Sequence, residues 1–492
     1  MVCRIPLARL RLHPEPAGKN VLRVFSAGSA KPGWVVRLAG LLLLVLCSDP
    51  LPGQDQVLGQ DQEGLRISVF RCDVTPPIGG QPLIWLDRPE TVEDPLWAKG
   101  IVLESGGKRY AVCALDWCGL CNSSYELFRN SLAAALETSP ENVFVHTVHQ
   151  HTAPYVDGNA QQHMAAYPEL PLYVDVAFVR RTAEGVAAAA KESLSRLEPC
   201  DRVGVGKAVV ERVASSRRVR DEHGNLVVRY SSGGRDPKMR ELPEGRIDPY
   251  VRTITLARGD RPIVRMHFYA THPQSFYGDR RVSADVPGLA RERLEKEEGV
   301  FQIYLTGCAG DVTFGKYNDG SREARDALAA RLYEGMKKAV ESTQYAAADR
   351  FAWCSRDVVF PARTDPGQTA DDQRRVLADP KQSPVNRTQA AVRLSFFDRR
   401  DRPFTVQGLR IGPAAALFLP GESLLEFQEY ALSLAGEGDF AAVAAYGDLG
   451  TGYICYDAAF QEGGYEPTAS RVAPGSEDIL KQAIRSVMDA LR

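Results

Sequence analysis

Between residues 65 and 491 the chain alternates short runs of apolar and β-branched residues with longer segments whose apolar positions recur every three or four residues. The first pattern is that of strands and the second that of helices packed by one face, so each type can bury its apolar surface against the other. Such interleaving predicts an α/β architecture, one large domain of mixed β-sheets covered by helices. No internal repeat and no second linker divides the stretch, and 492 residues suffice to enclose a large core.

The pattern places the elements. Residues 67–75 alternate as a strand that breaks at Pro76 and Pro77, and residues 101–115 read as a hairpin around Gly106 and Gly107. Ser123 to Glu126 is a capping-box pattern opening a helix to about 137, followed by a strand over 142–148. A helix is predicted over 173–197, strands over 202–210, 251–257 and 262–270, a helix over 286–297 feeding a strand over 301–305, and a helix over 321–343. After a polar stretch at 362–384, strands are expected over 391–397, 404–411 and 414–419, then a helix, a strand over 440–446 and a closing helix over 476–491.

Ahead of this body the composition changes. Residues 1–47 comprise a basic segment and the apolar run LAGLLLLVL, too short to span a bilayer but suited to a signal-peptide core. Residues 48–64 are a Pro/Gly/Gln/Asp linker, and the folded domain is expected over 65–492. The expectation is a protein exported by its N-terminal signal, secreted, periplasmic or at the cell surface. Cys47 stands where a lipoprotein cysteine would, but bulky Leu46 precedes it, so cleavage and release are favoured over lipid anchoring.

Net charge is -2 with 25% charged residues, which excludes a global basic field for nucleic acid. The ten cysteines are scattered, and the single CxxC, Cys118 with Cys121, has no second pair to close a zinc knuckle, so buried thiols are expected.

Chemistry concentrates in VHTVHQHTAPYVDG, residues 145–158, which holds three of the eight histidines. His149 and His151 are two residues apart, and strand geometry persisting to His151 would send both side chains from one face toward one ion or substrate. Three further loops follow strands: YATHPQ with His272, LPGE with Glu422, and the tyrosine-dense YGDLGTGYICYDAAFQEGGYEP. Each has an ordinary structural reading. A strand-end histidine can be a satisfied core residue, Glu422 can sit at a helix N-terminus, and tyrosines pack. Two imidazoles and one carboxylate nevertheless make a catalytic zinc set, if the loops meet.

These motifs, VHQHTAP, YATHPQ followed by Ser283-Ala-Asp285, GCAGDVTF, PGE, and Tyr453 with Tyr465-Glu466, occur in an order that resembles the neutral, non-lysosomal ceramidase family. CDVTPPIGG and IDPYVRTITLARGDRPIVRMHFYA also look like its catalytic domain, and the likeness spans residues 67–469. The resemblance implies that fold, and Zn2+ held by His149, His272, Glu422 and Tyr453. It places His151, Arg217 in SSRRV, and Tyr465 as site residues contacting substrate. It implies hydrolysis of the N-acyl bond of ceramide or a related lipid amide, with transient contact at a membrane surface and no nucleic-acid or protein partner.

Three departures bear on that reading. Thr313 stands where the family has a serine proposed as nucleophile, Pro154-Tyr155 where it is glycine-rich, and the chain ends soon after Tyr465, so its C-terminal immunoglobulin-like domain is expected to be missing. The alternatives are a hydrolase of the same superfamily acting on another amide or ester, a binuclear phosphoesterase, and an exported metal-bearing protein without catalysis. Asp116 and Asp285 are candidates for bracing the site, and His146 for the core.

Overall fold

A computed structural model of the protein describes residues 64–492. The expected signal core and nearly all of the linker, residues 1–63, lie outside the described residues.

Three sheets form the body. The first contains β1 (Arg66–Asp73), β2 (Trp97–Ser105), β3 (Lys108–Leu115) and β4 (Val143–Thr147) in the order β4-β3-β2-β1, with the two-residue strand Glu198–Pro199 beyond β1. The second contains β5 (Arg202–Val209), β6 (Tyr250–Arg258), β7 (Arg261–Tyr269), β8 (Phe301–Thr306) and β9 (Gln344–Ala347) in the order β8-β7-β6-β5-β9. The third runs β10 (Phe351–Val358), β11 (Phe404–Ile411), β12 (Ala414–Phe418) and β13 (Phe440–Ala444), in that order. The helices that cover them include α1 (Asn122–Ala135), α2 (Val176–Ser193), α3 (Asp285–Glu298), α4 (Arg322–Glu341), α5 (Pro384–Asp398), α6 (Leu425–Ser433) and α7 (Ser476–Ala490).

Each sheet is antiparallel except at one edge. There β4 runs parallel to β3, β8 to β7 and β13 to β12, each reached through a crossover helix, α1, α3 and α6 respectively. Parallel pairing demands such a crossover and buries both faces of the strand. The period of two is visible in β3: Tyr110, Val112 and Ala114 face a core shared with Met266 of β7 and Phe418 of β12. Ala111, Cys113 and Leu115 face the opposite way, against Phe128 of α1 and Val186 of α2. The three sheets therefore pack inner face to inner face with helices outside.

The three parallel edges meet at one buried side chain. Phe144 of β4 stacks on Phe418 with ring centroids 4.4 Å apart, and two residues on, along the same face, comes His146. Its Nδ1–H donates to the Ala445 carbonyl at 2.7 Å, just past β13, and its Nε2 accepts the Thr306 N–H at 3.0 Å, at the end of β8. Burial pushes its pKa down to about 3, so it is a neutral clip between three sheets. Ala445 N–H to Thr306 O at 3.0 Å and Thr147 N–H to Tyr446 O at 3.0 Å complete the junction.

Most expected elements are present, including the hairpin, whose Gly106 and Gly107 take φ of 55° and 70° as a two-residue primed turn requires. Three expectations are corrected. The strand expected over 391–397 is the C-terminal half of α5, which begins at the Ser383 cap with Pro384 in its first turn. That helix buries Arg387, Ala390, Ala391, Leu394 and Ser395 at helical spacing, and its apolar run hid the period. The polar stretch before it holds a helix, Ala370–Ala378, closed by a capping box from Thr369 and Asp372. The capping box expected at Ser123 does not form. The first N–H groups of α1 are met from afar, Asn122 N–H by Asp448 Oδ1 at 2.9 Å and Ser123 N–H by Asn159 Oδ1 at 3.1 Å.

His146→Leu would leave a buried N–H and a buried carbonyl unpaired, a loss of about 2–5 kcal/mol read as a lower urea midpoint. Because the folded His146 pKa lies below the unfolded value, its stabilisation is present above about pH 6.5 and is lost toward pH 3. The variant should accordingly show a shallower acid decline of melting temperature than the parent.

Candidate metal centre

The loops leaving these strand ends carry the predicted residues. After β4 the chain abandons strand geometry: His149 has φ of 73°, a left-handed backbone uncommon for a residue with a Cβ. The same-face expectation for His149 and His151 is therefore corrected. Strand β4 ends at Thr147, and the two rings stand at 90° with centroids 5.1 Å apart. They still converge, because the second group that defines the site, His272, reaches both. His149 Nε2 lies 3.0 Å and His151 Nε2 3.1 Å from His272 Nε2.

The proton positions follow from the partners. His149 Nδ1 lies 2.5 Å from the Cys118 carbonyl and His272 Nδ1 3.2 Å from the Ala309 carbonyl, and a carbonyl can only accept. Both Nε2 atoms are thereby left as lone pairs facing each other. Glu422 Oε2 stands 3.2 Å from His149 Nε2 and 3.8 Å from His272 Nε2, buried and without a hydrogen-bond donor. Lone pairs so placed repel unless a cation or a shared proton lies among them. Two ligand atoms at zinc bond length in a tetrahedron stand about 3.3 Å apart, close to the spacing found. His149, His272 and Glu422 therefore fit a metal ion, and the fit rests on this donor set. Burial pushes the His151 and His272 pKa values well below the ordinary range, with the charge of Arg217 adding to it.

Glu422 is delivered by a turn that only glycine can make. Gly421 has φ of 68°, and a Cβ there would stand 2.3 Å from Thr451 Oγ1. Residues Glu422 and Tyr453 then pair as neighbouring parallel strands. Burial acts to raise the Glu422 pKa, but the adjoining His149 ring, the Tyr453 hydroxyl and the Arg217 charge outweigh it and hold the carboxyl below its usual value. Arg217, also buried, donates from Nη1 to Tyr453 Oη at 3.1 Å, and its Nε lies 3.7 Å from Glu466 Oε1. Tyr465 closes this side, its ring 5.6 Å from that of Tyr453 and 5.2 Å from the Arg217 guanidinium carbon.

Thr313 is fully buried and paired across the backbone with Ser215 on one side and His272 on the other. Its hydroxyl accepts the Gly315 N–H at 2.8 Å, so it shapes the turn beside His272. Asp116 holds Arg291 with two bonds of 2.7 and 2.8 Å, fixing the segment whose Trp117 and Cys118 carbonyls receive the His149 N–H groups. Asp285 receives Ser275 N–H at 2.9 Å and braces the loop after His272.

Two residues at the site carried no sequence-level assignment to it. Tyr446 packs its ring 4.5 Å from His149 and brings its hydroxyl within 3.3 Å of His272 Nδ1. Cys118 also lies 3.9 Å from His149 Nδ1 through its sulfur, but burial, then Glu422 and Cys121, push the thiol pKa up and keep it protonated. None of the eight described cysteines forms a disulfide with another described residue.

This is a metal-type donor set at the carboxyl ends of parallel strand pairs, the usual ligand position in α/β folds. The fold is that of neutral ceramidase. The crystal structure of neutral ceramidase from Pseudomonas aeruginosa superimposes with a TM-score of 0.65 at 15% identity, covering 87% of this chain and 74% of that chain. A structure of ceramidase complexed with C2 gives 0.64 at 14% identity, covering 87% and 75%. No protein-family model matches the sequence, and no curated protein matches it.

Asp311, in the loop beside Thr313, accepts Leu425 N–H at 2.9 Å, and burial pushes its pKa up to about 6. A raised folded-state value means the charged form is penalised, so stability is lost as pH rises from about 4 to about 6, by about 3 kcal/mol. Asp311→Asn keeps the acceptor without the charge. Its melting temperature should exceed the parent's at pH 7.5, and the gap should close below pH 4.

Proposed function

We propose that the protein is a zinc-dependent, ceramidase-like hydrolase that cleaves the N-acyl bond of a lipid amide. The observation that carries this reading is the triangle of His149 Nε2, His272 Nε2 and Glu422 Oε2, buried together with no donor among them. Its position in a fold shared with neutral ceramidase supports an amide as the bond and a lipid as its carrier. Zinc held by His149, His272 and Glu422, with Tyr453 beside them, would supply Lewis acidity toward the amide carbonyl and acidify water.

The chain's own groups do the rest. Arg217 places a fixed cation beside Tyr453, where it stabilises negative charge growing on the carbonyl oxygen. His151, neutral through burial and with Nδ1 unpartnered, takes a proton from water and returns it to the leaving nitrogen. The hydroxyl of water bonds to the acyl carbon, the C–N bond breaks, and the amine leaves with the remaining proton. Tyr465, at the exposed rim, orients the substrate. Thr313 positions the turn beside His272 and makes no covalent bond to the acyl group, which is the reading its bond to Gly315 N–H favours. Residues 1–47 support export, which N-terminal sequencing of protein collected outside the cell would check.

Purified protein should contain about one zinc per chain by mass spectrometry of the metal, and a chelator should abolish hydrolysis of N-acyl lipids, with zinc restoring it. His149→Ala and Glu422→Gln should lose both metal and turnover. Arg217→Met should keep the metal while kcat falls about 100-fold. Thr313→Ala should retain more than about a tenth of the parent rate, since losing the nucleophile of a covalent mechanism costs far more. Metal-free protein with full activity would defeat the proposal.

A further inference from the structure

A cavity of about 240 Å³ opens beside Glu422 and Tyr453. Part of its wall is apolar, with Ile84, Trp85, Leu86 and Val392, and would accept hydrocarbon. The rest includes two guanidinium groups, Arg393 from α5 and Arg471.

Neither arginine has a carboxylate within ion-pair distance among the described residues. Arg393 donates to Gln368 Oε1 at 2.6 Å and to the Thr468 carbonyl at 2.8 Å. Arg471 donates to the carbonyls of Leu449 and Gly450 at 2.7 and 3.0 Å and to the Tyr155 hydroxyl at 3.2 Å. Arginines drawn out of solvent elsewhere are matched: Arg291 by Asp116, Arg399 by Asp448, Arg218 by Glu466. Arg229 is unmatched too, but it is filled by five backbone carbonyls and lies outside this cavity.

The nearby acids are committed elsewhere. Asp365 pairs with Arg363, a third guanidinium whose charge, like that of Arg471, acts on Arg393. Asp157 is taken by Asn122, Ser395 and the N-terminus of the helix Gly158–Met164, and Glu422 belongs to the metal centre. Burial, then Arg471 and Arg363, hold the Arg393 pKa down to about 10, so it remains charged at neutral pH with no anion beside it. Each guanidinium has five donors, and on Arg393 only two are used. A half-buried cation with spare donors on a cavity wall is a recognition element for an anion.

We propose that this cavity receives a carboxylate carried by the substrate, so that the amide cleaved is that of an acidic N-acyl compound, an N-acyl amino acid in kind, anchored by Arg393 and Arg471. The assignment rests on the hydrolase reading above. It also gives Tyr155 a purpose, since the residue that departs from the family's glycine-rich loop is the one that holds Arg471. A ceramide, with hydroxyl groups alone, would leave both cations uncompensated.

The test compares N-dodecanoylglycine with N-dodecanoylglycinamide on the zinc-loaded full chain. The carboxylate should be preferred by about tenfold or more in kcat/KM, and Arg393→Gln should remove most of that preference through KM. Arg393→Lys, which keeps the charge, should retain part of it. Equal turnover of the two compounds by the parent, or an unchanged preference in Arg393→Gln with a native thermal transition, overturns the proposal. Calorimetric binding of N-dodecanoylglycine separates the two readings. Arg393-dependent binding without turnover upholds the anion site and defeats the hydrolase, whereas binding indifferent to Arg393→Gln defeats the anion site.

Discussion

The molecule turns on one neutral imidazole. His146 joins the last turns of three strands that belong to three different sheets, and it does so with one nitrogen donating and one accepting. A charged histidine could not accept the Thr306 N–H, and an apolar residue could answer neither group. Fixing these ends fixes where the next residues go. His149, the GDVT turn and Tyr446 all leave within a few residues of the clip, and His272 and Glu422 follow the strands paired beside them. The site is the place where three sheets are tied.

Within the site, charge is arranged outward from unshared lone pairs. Carbonyls of Cys118 and Ala309 settle which nitrogen of each histidine faces inward, so the backbone determines the donor set as much as the side chains do. Around it lies a ring of compensated charge, Arg217 with Tyr453 and Glu466, and Arg218 with Glu466 and Glu462. Arg393 and Arg471, which no carboxylate pairs among the described residues, stand on the cavity side. On the proposed function, that asymmetry would separate the part that does chemistry from the part that selects what enters.

Much of this was legible in the sequence because it depends on local order. Strand, turn and motif spacings are local, and they placed the histidines, Glu422 and the tyrosines on loops following strands. What local order cannot reveal is the meeting of those loops, which depends on contacts such as His146 with Ala445, 299 residues apart. The left-handed turn at His149 was equally hidden, since it is imposed by Trp117 and Cys118 rather than by its neighbours in the chain. Residues 391–397 misled for another reason. A helix buried on several sides shows a continuous apolar run, and a run of that length also suits a buried strand. Arg393 lies inside it and gave no signal, because an arginine reveals its missing partner only when its surroundings are known.

The parallel edges carry one further consequence. An edge strand exposes a row of unpaired backbone groups, the ordinary starting point for unwanted association between chains. Here β4, β8 and β13 turn their ends toward one another, and backbone bonds such as Ala445 to Thr306 and Thr147 to Tyr446 run between sheets. The contact that assembles the loops of the candidate metal centre therefore also shields the ends of three strands from other chains. A lineage that drifted at the junction would risk solubility together with the candidate site, which ties the upkeep of this geometry to the survival of the folded protein itself.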